Sequence, residues 1–210
     1  EGAPVMVAAL GPKMLALTGA VFFTLMVILY FTIRVSLVRG FRELEEADVR
    51  VNVERILSLM DGDKRAMELI TADWASWDDT YEYIVDHNER YAVSNLTPPV
   101  FEELRLNILV FVDSSGAIVF GHSYNSQTKE VKDLPPALLP YISPSGSLFW
   151  RVVTRDSITA LLDLPEGPLM VVSRPILTSA YEGPVRGSLI MGRYINKLET
   201  DRMASILHLA

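Results

Sequence analysis

The run Asp73–Tyr91, DWASWDDTYEYIVDHNERY, concentrates indoles, phenols and carboxylates in one short stretch. Read as a single helix, it places Trp74, Trp77, Asp78, Tyr81 and Val85 on one face, with Asp73 and Thr80 beside them. Indole and phenol rings offer large apolar walls with a polar tip. Such walls beside a carboxylate suit a cationic or amine-bearing small molecule. The same side chains can instead pack the helix on a sheet, with Asp78 accepting the N–H and O–H bonds that buried rings need. The two uses are compatible. The candidate ligand-binding or pocket-supporting residues are Trp74, Trp77, Asp78, Tyr81 and Tyr83, joined from further along the chain by Arg174.

Arg174 and Arg193 fall within apolar runs that read as strands. A guanidinium there needs an anion or water. A ligand carboxylate, a salt bridge to the Asp73–Asp79 group, or plain exposure would each satisfy it. Hydrolytic chemistry has little support. Asp78 and Asp79 are neighbours that a helix points about 100° apart, whereas a glycosidase needs two carboxylates facing across a cleft. His87, His122 and His208 lack metal-ligand spacing. Asp61-Gly62-Asp63 lacks the repeated oxygen ligands of a calcium loop, and no phosphate loop or nucleophile elbow occurs. No catalytic residue, metal or cofactor is expected.

Composition narrows the class further. Half the residues are apolar, which excludes a disordered chain. The net charge of −7, with no basic run, gives no footprint for nucleic acid. There is no cysteine, so disulfides, thiolate metal sites and thiol nucleophiles are excluded. Because the sequence starts at Glu1 and not at Met, it is read as part of a longer chain.

Met14–Ile33 runs for 20 residues without a charge. At about 1.5 Å per residue this spans roughly 30 Å, the thickness of a bilayer's hydrocarbon core. Lys13 and Arg34 bracket it, and Tyr30 and Phe31 sit near one end. The run is longer than a signal-peptide core, and no small-residue cleavage site follows, so a retained anchor is expected. Residues 1–13 are then a tail and 14–34 the membrane helix. Lys13 stands against Arg34, Arg39 and Arg42, so the positive-inside rule alone would place the following domain in the cytoplasm.

Beyond the membrane the pattern predicts a long helix from Val35 to about Met60. Leu37, Phe41, Leu44, Val51 and Leu57 form an apolar seam suited to pairing with a second copy or to packing on the chain's own domain. Asp61-Gly62-Asp63 predicts a break and a cap, and a second helix follows over about Lys64–Val85. Asn88–Pro99 reads as an irregular connection, with a short helix over Phe101–Leu106. Strands are predicted at Asn107–Val112, Ala117–His122, Ser157–Leu162, Pro168–Leu177 and Arg186–Tyr194, and a last helix at Asn196–Leu209. The fold class is α+β: a long transmembrane and stalk helix, then a domain with a central antiparallel sheet of about five strands. That domain occupies residues 35–195, and 196–210 form a C-terminal helix.

The block Asp73-Trp74-Ala75-x-Trp77-Asp78-Asp79-Thr80-Tyr81, with Tyr91 and Asn95-Leu96, resembles the type-four CHASE domains. The likeness continues through Leu109–Gly116, Ser173-Arg174-Pro175-Ile176 and Gly183-Pro184-x-Arg186-Gly187, over about Val35–Tyr194. The family consists of extracellular sensory domains attached to cyclases and histidine kinases. The resemblance implies a PAS/Cache-like fold outside the cytoplasmic (inner) membrane, with Lys13 inside, against the charge count. It implies a second membrane helix beyond Ala210, followed by a cyclase, phosphodiesterase or histidine kinase output. The expected function is small-molecule sensing by a dimeric receptor, the ligand being unspecified. The rival is a periplasmic protein-interaction or dimerisation module, and a third reading is an extracytoplasmic enzyme.

Overall fold

The computed structural model describes residues 11–207, and the side chains of these except at 12–13 and 37–48. The expected tail therefore lies mostly outside the described residues, as do the seam side chains of Leu37, Phe41 and Leu44. The chain divides into two units, Glu1–Glu54 and Arg55–Ala210. The first contains Met14–Ser36, long and apolar enough to cross a membrane, with a mean hydropathy of 2.3 and no part buried. It belongs to α1, Pro12–Ala75.

The expected break at Asp61-Gly62-Asp63 does not occur, because α1 runs through it. A mid-helix glycine costs about 1 kcal/mol relative to alanine, and here the flanking aspartates are engaged elsewhere. Asp61 pairs with Arg65 at 2.6 Å on the helix surface, and Asp63 pairs with arginines from other elements. The helix stops instead at Ala75, where Trp77 turns to an extended conformation (φ −72°, ψ 134°). It resumes as α2, Asp78–Asp86, with Asp78 and Asp79 in its first turn, where carboxylates complement the helix dipole. His87, in the left-handed region at φ 55°, ends α2.

The connection expected to be irregular is instead two short helices. α3, Glu89–Asn95, is capped by Asn88, which accepts from the Arg90 N–H at 2.9 Å. α4 is Pro98–Glu103. Its two prolines sit in the first turn, where a missing N–H costs no helical bond.

The sheet has six strands, not about five: β1 Ile108–Asp113, β2 Ile118–Asn125, β3 Glu130–Lys132, β4 Ile158–Leu164, β5 Gly167–Pro175 and β6 Gly187–Tyr194. The added strand β3 is three exposed residues on the edge, too short and polar to show apolar alternation. The order is β3-β2-β1-β6-β5-β4, every pair antiparallel. β1 and β6 lie side by side in the middle, with Phe111 opposite Leu189. A side chain at Gly187 would collide with the Val112 carbonyl oxygen, so this pairing requires glycine there.

Both faces of the sheet are covered, which is why Ile108–Val112 is a continuous apolar run. Leu109, Phe111, Leu189, Met191 and Val172 point to one face and meet Met67, Trp74 and Ala75 of α1 and Tyr81, Tyr83 and Ile84 of α2. Ile108, Val110, Val112, Val171 and Ile190 point to the other. There the proline-rich stretch covers them with Leu138, Ile142 and Leu148, the second being the end of α5, Leu139–Ile142. The last helix, α6, is Lys197–Leu207.

Candidate functional site

The break after Ala75 splits the aromatic run between two helices. Trp74, on α1, stacks on Trp77 with ring centroids 4.9 Å apart and planes 26° from parallel. Asp78 does not receive an aromatic proton. Its two oxygens accept the Ser179 N–H at 2.8 Å and the Ser179 hydroxyl at 2.9 Å. These bonds hold the exposed carboxyl below its ordinary pKa, the backbone bond being the larger cause. Val85, expected on the same face, is exposed.

Tyr81 is buried against the connection between β5 and β6. Its hydroxyl donates to the Pro184 carbonyl at 3.2 Å. The Arg186 guanidinium lies 3.8 Å from its ring centroid, within cation–π range, and donates to its backbone oxygen at 2.8 Å. Gly183 has φ +91°, and a side chain there would come within 2.6 Å of the Tyr81 hydroxyl oxygen. The two sequence blocks, Trp74–Tyr81 and Gly183–Gly187, thus dock on one another. Leu177 N–H completes the junction by donating to the Ala75 carbonyl at 3.1 Å.

Tyr83 points elsewhere. It stacks on Tyr91 at 4.5 Å, and both rings meet Phe111 of β1 edge-on. Burial raises the Tyr83 pKa. Burial pushes the Tyr91 hydroxyl up to about 12, against the opposing effect of its 2.6 Å bond to Thr80. The two tyrosines form one wall of an open cavity of about 320 Å³, whose other sides include Asp79, Glu82, Asp86 and Arg90. The acidic members sit at helical spacing on α2, a pattern visible in the sequence once the helix is placed.

Arg174 is half-buried on β5, on the same face as Val172. Burial lowers its pKa, while Tyr181, Asp156 and Glu68 act in the opposite direction. The six candidates therefore divide among a stacked indole pair, a turn contact, a cavity wall and a strand. They do not converge on one described cavity.

A second cavity, about 370 Å³, opens between the α4–β1 link, the β2–β3 turn and α6. Its floor includes Phe101, Leu106 and Leu198, and its charged lining includes Arg105, Lys129, Glu199 and Arg202. Behind it lies Arg193. Its guanidinium is not bound to the Asp73–Asp79 group: it donates to the carbonyls of Arg105 at 2.7 Å and Leu104 at 3.0 Å. The charged residues come from four separate parts of the chain, and sequence spacing gave no sign that they meet.

Residues 59–210, well over half of the chain, match the CHASE4 domain family. The chain belongs to the CHASE4 family. CHASE4 domains are sensory, and the contacts above explain the family block in this chain as a junction between α1, α2 and the turn before β6. The chain is also similar to the methanogenesis regulatory histidine kinase FilI of Methanothrix harundinacea, at 27 % identity over 194 residues. That match takes in 92 % of this chain and 22 % of the relative, so the chain spans about a fifth of that protein's length. Among solved structures it resembles the domain of a protein assigned to the sensory box/GGDEF family from Vibrio parahaemolyticus. There the TM-score is 0.50 at 14 % identity, covering 71 % of this chain and 60 % of that one. The likeness is one of fold, an α+β domain built on a central antiparallel sheet as expected from the sequence.

Proposed function

We propose that this CHASE4 domain is the extracytoplasmic, ligand-sensing part of a dimeric transmembrane receptor, anchored in the cytoplasmic membrane, whose output is of the histidine kinase or cyclase type. The observation that carries this reading is α1. One helix contains both the apolar stretch Met14–Ser36 and the core residues Met67, Trp74 and Ala75. A population shift in how the sheet holds the end of α1 would then bias the helix that enters the membrane. In this reading Trp74, Trp77, Asp78, Tyr81 and Arg174 support the fastening of α1 and α2 to the sheet, and Tyr83 borders a cavity. The exposed Val51 and Leu57 side chains, part of the expected seam, supply apolar surface for a second copy. The likeness to a histidine kinase supports that output over the alternatives.

The cysteine-free chain allows a clean test. Single substitutions Gly11→Cys and Gln127→Cys, both at exposed positions, are introduced into the full chain in intact cells and treated with a membrane-impermeant maleimide. The expected result is labelling of Gln127→Cys and protection of Gly11→Cys until the cells are lysed. The reverse pattern would place the domain in the cytoplasm, as the charge count alone implied, and would end this reading. In the same membranes, Val51→Cys and Leu57→Cys should cross-link to dimers under mild oxidation; monomer alone would remove the dimer from the proposal.

A further inference from the structure

Where β6 meets α6, three guanidiniums face two carboxylates. Asp63 of α1 lies 3.3 Å from Arg105, 3.9 Å from Arg193, and in direct contact with Arg202. Glu199 of α6 lies 2.8 Å from Arg202 and 3.6 Å from Arg105. The neighbouring Glu102 is separately engaged: Tyr124 donates to it at 2.5 Å, and Lys129 lies 3.5 Å away. One positive charge is therefore left in surplus within the group.

The surplus has a structural trace. Arg193 is 5 % exposed. Two of its nitrogens reach backbone carbonyls, but its buried Nη1, 3.9 Å from Asp63, has no hydrogen-bond partner among the described residues. Buried charged donors are costly to leave unsatisfied. Arg105 is also held at φ +53°, a conformation that non-glycine residues seldom adopt, and there its carbonyl serves Arg193 while its guanidinium lines the 370 Å³ cavity. That cavity has apolar walls at Phe101, Leu106 and Leu198, and arginines at one side.

We infer that this cavity binds a small monocarboxylate with an apolar body, the carboxylate pairing with Arg105 and Arg202 in competition with Glu199. An apolar body suits the Phe101, Leu106 and Leu198 walls, and planar guanidiniums match carboxylates in two-point geometry. A ligand carboxylate on Arg105 would also free Asp63 to close its 3.9 Å separation from the Arg193 Nη1 to a hydrogen bond. Because Asp63 belongs to α1 and Glu199 and Arg202 belong to α6, occupancy changes how the first and last helices of the domain are tied together. The inference deepens the sensing reading and rests on it for its purpose. Binding itself is tested independently of topology.

The test uses the full chain in lipid nanodiscs, with 4-fluorobenzoate followed by fluorine NMR against empty nanodiscs. Competition by benzoate and hexanoate is compared with benzamide and benzylamine. The two carboxylates are expected to displace the probe, and the amide and amine to leave it bound. Arg202→Gln, by loss of one charge-assisted contact, and Leu198→Asp, by setting a like charge in the apolar wall, should each weaken binding about tenfold or more. Glu199→Gln should tighten it by removing the competitor. Lys197→Gln, an exposed change on the same helix, is the control and should bind as the parent does. Binding of benzamide as strongly as benzoate would overturn the proposal. So would undiminished binding in both Arg202→Gln and Leu198→Asp, or no probe binding at all. Each of these results stands whichever way the cysteine labelling falls.

Discussion

Two regions of this domain carry unusual polar groups, and they are built in opposite ways. The aromatic junction draws Trp74, Trp77, Asp78 and Tyr81 from one short run and closes them against Ser179, Pro184 and Arg186. Asp78, Tyr81 and Arg186 each have a hydrogen-bond partner there, and the rings are packed. The charged cluster beside α6 draws Asp63, Arg105, Arg193, Glu199 and Arg202 from across the chain, borders an open cavity through Arg105, Glu199 and Arg202, and leaves a buried nitrogen without a hydrogen-bond partner among the described residues. The residues most conspicuous in the sequence do the work of assembly. The larger of the two cavities described above is made where distant segments meet. Aromatic density therefore marks strength of packing here, and incomplete satisfaction is the better pointer to binding.

That contrast predicts a large difference in the cost of truncation. Trp74→Ala removes a buried indole from the core and should cost about 3–5 kcal/mol. Leu198→Ala, at the half-exposed cavity wall, should cost less than about 1 kcal/mol. Urea unfolding of the chain in mild detergent, followed by near-ultraviolet circular dichroism, measures both. Equal costs would mean that the cavity wall is core and that the comparison is wrong.

The architecture was largely legible because it is written in local periodicity. The apolar run of α1, the continuous apolar strand β1 and the apolar run Leu169–Val172 of β5 each respond to one dominant force, the burial of apolar area. Two of the misreadings involve residues whose partners are far away, and the others involve the exact placing of a helix start. Asp61-Gly62-Asp63 has the composition of a cap, yet Asp63 is held in the helix by Arg105, Arg193 and Arg202. Pro98-Pro99 looks like a breaker, but at a first turn it starts α4. Asp78 lies among rings, yet its partner Ser179 is about a hundred positions away, beyond any spacing rule. The candidate site suffered most, since a face drawn on one continuous helix cannot anticipate the turn at Trp77 that divides it.

The aromatic side of the comparison is sharpened by alkali. Tyr91 has its pKa pushed up to about 12 by burial, whereas an unfolded tyrosine titrates near 10. The folded state holds this proton where the unfolded state loses it. Its contribution is complete below about pH 10 and is lost as the pH rises through 12, a fall on the order of 2–3 kcal/mol for this one group. Tyr91→Phe has no proton to lose, so its stability curve over that range should be flatter, although its starting stability is lowered by loss of the Thr80 bond. Denaturant midpoints at intervals between pH 9 and 12 give the two curves. Parallel curves would show that Tyr91 reaches water and that the Tyr83–Tyr91 stack is looser than its packing implies.

The smallest effect probes the one exposed carboxylate of the junction. Ser179 lowers the Asp78 pKa through a backbone and a side-chain hydrogen bond. Because the folded value is depressed, the resulting stabilisation is present above the unfolded pKa and disappears as the pH falls through the folded one. Ser179→Ala removes only the hydroxyl, the lesser of the two causes. The Asp78 pKa should therefore rise part of the way to its ordinary value, with little change in stability at neutral pH because the group faces solvent. Carboxyl-carbon NMR titration of parent and variant, with Asp78 assigned through Asp78→Asn, resolves a change of this size. If the titration does not move, the Ser179 hydroxyl does not hold Asp78 in solution and the Oδ2 oxygen remains available as a ligand contact, so that the aromatic region would have to be counted as a site alongside the charged cavity.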